Sequence, residues 1–146
     1  MSREVITAVE SGRGAFHLKI LAHGVLIEAD EPVDAGGLGL GLTPTELLCA
    51  ALAACTTMTL RMYCTRKQWD LQIIRTDVTQ ATRHAQDAQA RFERTIYLDG
   101  ALSDAQMDKL LAIANRCPVH ATLEAGSQIG TQLKTAAPSG ESPGPL

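Results

Sequence analysis

The residues of this 146-residue chain with the most chemistry to offer are its four cysteines, and three of them crowd into CAALAACTTMTLRMYC at residues 49–64. The fourth, Cys117, stands far away in ANRCPVHATL. A cysteine thiolate can attack, ligate a metal or be oxidised. No two of these cysteines have CxxC spacing and only four histidines accompany them, so no metal site is expected. At about 100° per residue, Cys49 and Cys55 lie about 240° apart on a helix, and Cys55 and Cys64 about 180° apart. No disulfide can therefore close inside this segment while it stays helical. Free cysteines also serve as small apolar core residues, and Cys49 and Cys64 are read that way. Cys117 precedes Pro118, which disfavours helical geometry at the cysteine and suits a cap position before a new turn. Backbone N–H groups there lower a thiol pKa, and such a sulfur can attack a partner on the long segment. Spacing alone does not say which partner.

The elements that must position these sulfurs are legible from pattern. REVITAVE, AFHLKILAHG and VLIEAD alternate like strands, with SGRG and HG supplying turns. EPVDAGGLGLGLTP is glycine-rich and aperiodic and reads as a loop. It has neither the GxGxxG nor the GxxxxGK pattern of a phosphate cradle. Thr43 and Glu46 form a capping box around Pro44, opening a helix to about Arg66 that is apolar almost all round and should be buried on every face. DLQIIRTDVTQATR and ARFERTIYLDG read as a hairpin connected near HAQDAQ. Ser103 and Gln106 open a second helix that ends near Arg116. SQIGTQLKT is expected to add a final strand, and AAPSGESPGPL to be a flexible tail. The order gives one α+β domain over residues 1–135, with a tail at 136–146. So small a domain would struggle to enclose the long helix alone, and homodimerisation is the simplest remedy.

Composition excludes several functions. Net charge is −3 with a pI near 5.8, the 13 Lys and Arg are scattered, and aromatics are 3% of residues. That leaves no basic footprint for nucleic acid or an anionic membrane and no platform for stacking bases. The N-terminus lacks the apolar core of a secretory signal, and the run around residues 47–63 carries Arg61 and is shorter than the roughly 20 residues a bilayer needs. A cytoplasmic location is expected, with thiols reduced at rest.

LTPTELLCAALAACTTMTL followed by ANRCPVHATL, with EADEPVDAGGLGLGLTP upstream, resembles the OsmC/Ohr family, in a branch with a C-P-V-H motif. The matching residues are Pro44, Glu46, Leu47, Cys55, Cys117 and Pro118, and the similarity spans roughly residues 25–125. The resemblance implies an OsmC-like fold in an intertwined homodimer, with a long buried central helix. It implies a thiol peroxidase for organic hydroperoxides, with Cys55 as the reactive and Cys117 as the resolving cysteine. It implies no metal or flavin, and an external dithiol as reductant, lipoyl groups in one branch. The chain departs from the best-known members at Thr45, where they carry a glutamate, and Glu46 belongs to the capping box. Arg13 in SGRG matches a family arginine loosely, with Arg61 and Arg116 in reserve. His120 is a candidate base or charge partner for either thiol. A non-catalytic redox sensor or a binder of small apolar molecules is the alternative, and a purely structural protein with inert cysteines a third.

Overall fold

The computed structural model describes residues 5–81 and 89–135. It begins with an antiparallel meander of β1 (Thr7–Glu10), β2 (Leu18–Ala22) and β3 (Val25–Ala29), in the order β1-β2-β3. The strands are the three alternating stretches of the sequence, shorter at their ends. The turn between β2 and β3 puts His23 and Gly24 in left-handed geometry, which a tight antiparallel connection requires.

The glycine-rich loop that follows contains one short 3-10 turn, Val33–Ala35, and is organised by a single carboxylate. Asp30 is 2% exposed and accepts from the backbone N–H of Glu31 (2.9 Å), Leu38 (3.1 Å) and Leu40 (3.3 Å). The chain folds back so tightly that a Cβ on Gly37 would collide with the Glu31 carbonyl, and one on Gly41 with that of Glu28. Burial acts to raise the Asp30 carboxyl, but the N–H groups of Leu40, Leu38 and Glu31, with His17 nearby, hold it below its ordinary value. A group depressed in the folded state stabilises the fold above its unfolded pKa, and that contribution goes as pH falls through the lower, folded value. Acid titration of stability, followed as the urea midpoint between about pH 5 and pH 2, should therefore lose less in Asp30→Asn than in the parent. Equal acid losses in the two chains would refute this role.

α1 (Pro44–Lys67) starts at the expected capping box. The Thr43 hydroxyl accepts from the Glu46 N–H at 3.2 Å, and Thr43 N–H donates to the Glu46 carboxylate at 2.8 Å. It ends at Gln68 in left-handed geometry. β4 (Ile73–Gln80) and β5 (Phe92–Asp99) pair antiparallel, as the hairpin reading requires, and α1 packs chiefly on β4. HAQDAQ lies almost wholly, and the tail at 136–146 entirely, outside the described residues. α2 (Asp104–Ala114) opens with the Ser103–Gln106 capping box. Leu60, Cys64, Leu71, Ile74, Leu110 and Ala114 form the core between α1, the hairpin and α2.

Three expectations need correction. α1 is not buried on every face: its buried residues are Leu52, Thr56, Leu60 and Cys64, one position in four, because the hairpin, α2 and α3 line only one side of it. On other faces Met58 is 66% and Met62 65% exposed. No final strand forms at Ser127–Thr135. The chain instead makes a third helix, α3 (Pro118–Ala125), and then continues without regular structure to residue 135, with Ile129 and Leu133 exposed; a strand needs an edge to pair with, and these residues pair with none of the described strands. α1 is also long and apolar enough, by length and composition, to cross a membrane, contrary to the shorter run read from sequence. Its packed stripe, and Arg61 donating to the Leu71 and Gln72 carbonyls, are features of a helix seated on a protein core.

Candidate thiol site

Two helices bring the site together. Cys55 lies in the middle of α1, and Cys117 is the N-cap of α3. Pro118 occupies the first helical position and holds Cys117 extended, at φ −60° and ψ 137°. From there the sulfur takes the part that a Ser or Asp oxygen usually plays, accepting from the His120 N–H at 3.4 Å. The Cys55 and Cys117 side chains lie close enough that each shifts the ionisation of the other, and all four cysteines are free thiols. Of the three cysteines in the α1 segment, the one drawn to Cys117 is Cys55.

The two sulfurs are electrostatically unequal. Burial pushes the Cys55 thiol up; the Val119 N–H opposes this, Cys117 adds to it, and the net position is above the ordinary thiol value. Burial pushes Cys117 up as well, but the His120 N–H, the Cys55 thiol, the Thr56 hydroxyl and the Val119 N–H together bring it below. Of the two sulfurs, Cys117 is the one that favours the thiolate. Access runs the other way: Cys117 is fully buried, whereas Cys55 is partly exposed. Cys64 is fully buried with its thiol raised by that burial, in keeping with a packing role, while Cys49 is half-buried at the surface of α1.

The cation beside this pair is one that sequence reasoning missed. Arg94 reaches in from β5. Its Nη1 donates to the Thr56 hydroxyl (2.9 Å) and the Ala114 carbonyl (3.2 Å), and its Nη2 to Asn115 Oδ1 (2.8 Å). Thr56 in turn donates to the Leu52 carbonyl at 2.7 Å and lies 3.9 Å from Cys117 Sγ. A signal was present. In FERTIYLD the residues at 92, 94, 96 and 98 share the inward face, and Arg94 is the charged one among Phe92, Ile96 and Leu98. Thr56 likewise interrupts the stripe of Leu52, Leu60 and Cys64. Each residue breaks the pattern of its own element, and the two meet.

The other expected site residues lie elsewhere or act differently. Arg13, near the β1–β2 turn, faces Glu28 at 3.6 Å, and Glu28 also lies 3.5 Å from the buried His17 ring. Thr45 is exposed in the first turn of α1. His120 serves Cys117 through its backbone, while its ring turns to Glu124 at 3.4 Å. Arg61 is engaged with the start of β4, and Arg116 is exposed after α2. A pocket of about 720 Å³ opens beside the site, sharing Leu52, Arg94 and His120 with it and lined further by Leu48, Phe92 and Leu123. Among the described residues, no three His, Cys, Asp or Glu side chains gather as a metal ion would need.

Comparison with known proteins places the fold. A protein from Psychrobacter arcticus, assigned to osmotic stress induction and the detoxification response, superposes with a TM-score of 0.72 at 20% identity, over 84% of this chain and 89% of that one. An OsmC-like protein from Mycoplasma pneumoniae gives 0.70 at 21% identity, over 84% and 88%. The organic hydroperoxide resistance protein OhrB of Bacillus subtilis gives 0.55 at 20% identity, over 80% and 87%. These likenesses show a shared α+β fold. No curated protein matches the chain in sequence. The family model for OsmC-like proteins matches residues 36–132, which hold α1, the hairpin and both cysteines of the pair, and the chain belongs to the OsmC-like family.

Proposed function

We propose that the chain is a thiol peroxidase that reduces organic hydroperoxides through Cys55 and Cys117. The observation that carries the reading is the pair itself, a partly exposed sulfur whose thiol is raised close against a buried sulfur that favours the thiolate. The Bacillus subtilis neighbour is an organic hydroperoxide resistance protein, which supports the same class of substrate. In the proposed cycle Cys55 passes its proton to Cys117 and attacks the terminal oxygen of ROOH. The S–O bond forms as the O–O bond breaks, the alkoxide leaves and takes up a proton to become ROH, and Cys55 becomes a sulfenic acid. Cys117, again a thiolate, attacks the sulfenic sulfur. A disulfide forms and hydroxide leaves as water. An external dithiol, of which a lipoyl group is one example, returns both thiols by exchange.

The base in this scheme is a sulfur. Thr45 stands where the best-known relatives carry a glutamate, and the groups that shift Cys55 among the described residues are Cys117, Thr59 and the Val119 N–H. The reading includes two further elements: a homodimer as the working unit, and a reducing, cytoplasmic setting without metal or flavin. The test is consumption of cumene hydroperoxide with dihydrolipoamide as reductant, and a wild-type chain that turns over no hydroperoxide would end it.

One observation favours a second reading. The Cys55 thiol is raised, not lowered, which suits slow, stoichiometric oxidation in a redox sensor. A disulfide that forms once per chain under mild peroxide, with no turnover in excess dithiol, would select the sensor.

A further inference from the structure

Resting on that reading of the cysteine pair, we propose that Arg94 is a positioning residue, which acts through the Thr56 hydroxyl to hold Cys117 as the thiolate partner of Cys55. The argument is geometric. The Thr56 hydroxyl has one hydrogen and two acceptors in reach, the Leu52 carbonyl at 2.7 Å and Cys117 Sγ at 3.9 Å. Arg94 Nη1 donates into one of the two lone pairs of the hydroxyl oxygen at 2.9 Å, which fixes the hydroxyl where its single hydrogen can face either Leu52 or the Cys117 sulfur as a donor. A donor stabilises a thiolate and not a thiol. The hydrogen rests on Leu52 when Cys117 is protonated and can turn to the sulfur when it is not.

The second arm of the guanidinium fixes where that sulfur sits. Arg94 binds the Ala114 carbonyl and the Asn115 side chain at the end of α2, three and two residues before Cys117, and so ties β5 to both α1 and the corner that opens α3. The fork geometry suits this task, since a guanidinium holds several acceptors in one plane and keeps its charge at every relevant pH. The other groups facing Cys117 are Cys55 from α1 and the backbone N–H of His120 and Val119 on α3, whose His120 ring is turned to Glu124; Arg116, one residue before it, is exposed. Among these, Arg94 is the cation that reaches the sulfur through a single hydroxyl. Thr56 and Arg94 are each out of place on an otherwise apolar face, and such breaks of local pattern are where function is expected to sit.

The test reads the thiolate and does not depend on turnover. In a Cys55→Ser background, the ultraviolet thiolate signal that disappears on adding Cys117→Ser reports Cys117 alone. Thr56→Val should move this titration up by about one pH unit, a tenfold fall in thiolate below the midpoint, and Thr56→Ser should restore it. Arg94→Gln should shift it in the same direction, with Arg94→Lys falling between Gln and the parent. Because Thr56 is fully buried and its valine variant can misfold, the Arg94 pair provides the second reading at a half-buried site. Thr56→Val and Arg94→Gln chains that fold and titrate with the parent would overturn the proposal, as would Arg94→Gln alone doing so where Thr56→Val fails to fold. A chain that shows these shifts yet consumes no hydroperoxide would keep the assignment of Arg94 and lose the peroxidase. Turnover with unmoved titrations would do the reverse.

Discussion

Cys55→Ser is expected to lower hydroperoxide turnover by at least about a thousandfold while leaving the fold intact. A serine oxygen is nearly isosteric with the sulfur, but its alkoxide is out of reach at neutral pH, and a hydroxyl has no sulfenic state to resolve. Stability should move by less than about 1 kcal/mol, because Cys55 is only partly buried and its sulfur lies outside the apolar core cluster. Cys117→Ser should differ in kind. With the thiolate that takes the Cys55 proton removed, the first oxidation should slow, and whatever sulfenic acid forms at Cys55 should persist and be trapped by a carbonyl nucleophile such as dimedone. Undiminished turnover in Cys55→Ser would sink the mechanism. Full retention of sulfenic acid formation in Cys55→Ser, with its loss in Cys117→Ser, would show that the buried, lower-pKa sulfur attacks first.

What could be read from the residues and what could not divide along a physical line. Both capping boxes, the loop before α1, the three N-terminal strands and the hairpin were legible, since each rests on local backbone chemistry: a Thr or Ser oxygen for a free N–H, a proline at the first helical position, alternation at period two. The pairing of Cys55 with Cys117 came from family likeness, because helix geometry excludes partners within α1 but cannot choose one outside it. Arg94 was not found, because its contacts with Thr56, Ala114 and Asn115 join three elements through tertiary packing alone. Its clue, a cation on the inward face of an amphipathic strand, is one that local pattern does not separate from an ordinary half-buried arginine. α3 is legible only in part: Cys117 before Pro118 suits a cap before a new turn, but the length of the helix it opens depends on packing against α1. The missing final strand and the one-sided burial of α1 share a different cause, since both expectations assumed partners that one chain does not provide.

That last point carries the second large prediction: the chain should sediment as a homodimer at twice its 15.6 kDa mass, and Met58→Lys with Met62→Lys should make it monomeric. The meander of β1–β3 makes its main contacts within itself, leaving Val25, Leu26 and Ile27 at least 40% exposed, and α1 offers Met58 and Met62, one turn apart, on a face its own chain leaves uncovered. Two apolar surfaces on one chain, each lacking a cover, are satisfied together if a second copy supplies to each what it lacks, and a two-fold axis lets the same contacts be made twice. Withdrawing a buried methionine costs about 1.5–3 kcal/mol, and symmetry doubles each loss, so the double variant should raise the dimer dissociation constant at least about a thousandfold. Two ammonium groups left in the same interface would add an unpaired-charge cost. Analytical ultracentrifugation at tens of micromolar decides it, and a wild-type chain that sediments as a monomer there would remove the dimer from the proposed working unit. If dimer and turnover fall together in the double variant, while Cys55 and Cys117 still form a disulfide under peroxide, the thiol site is complete within one chain and the second copy serves to shield it.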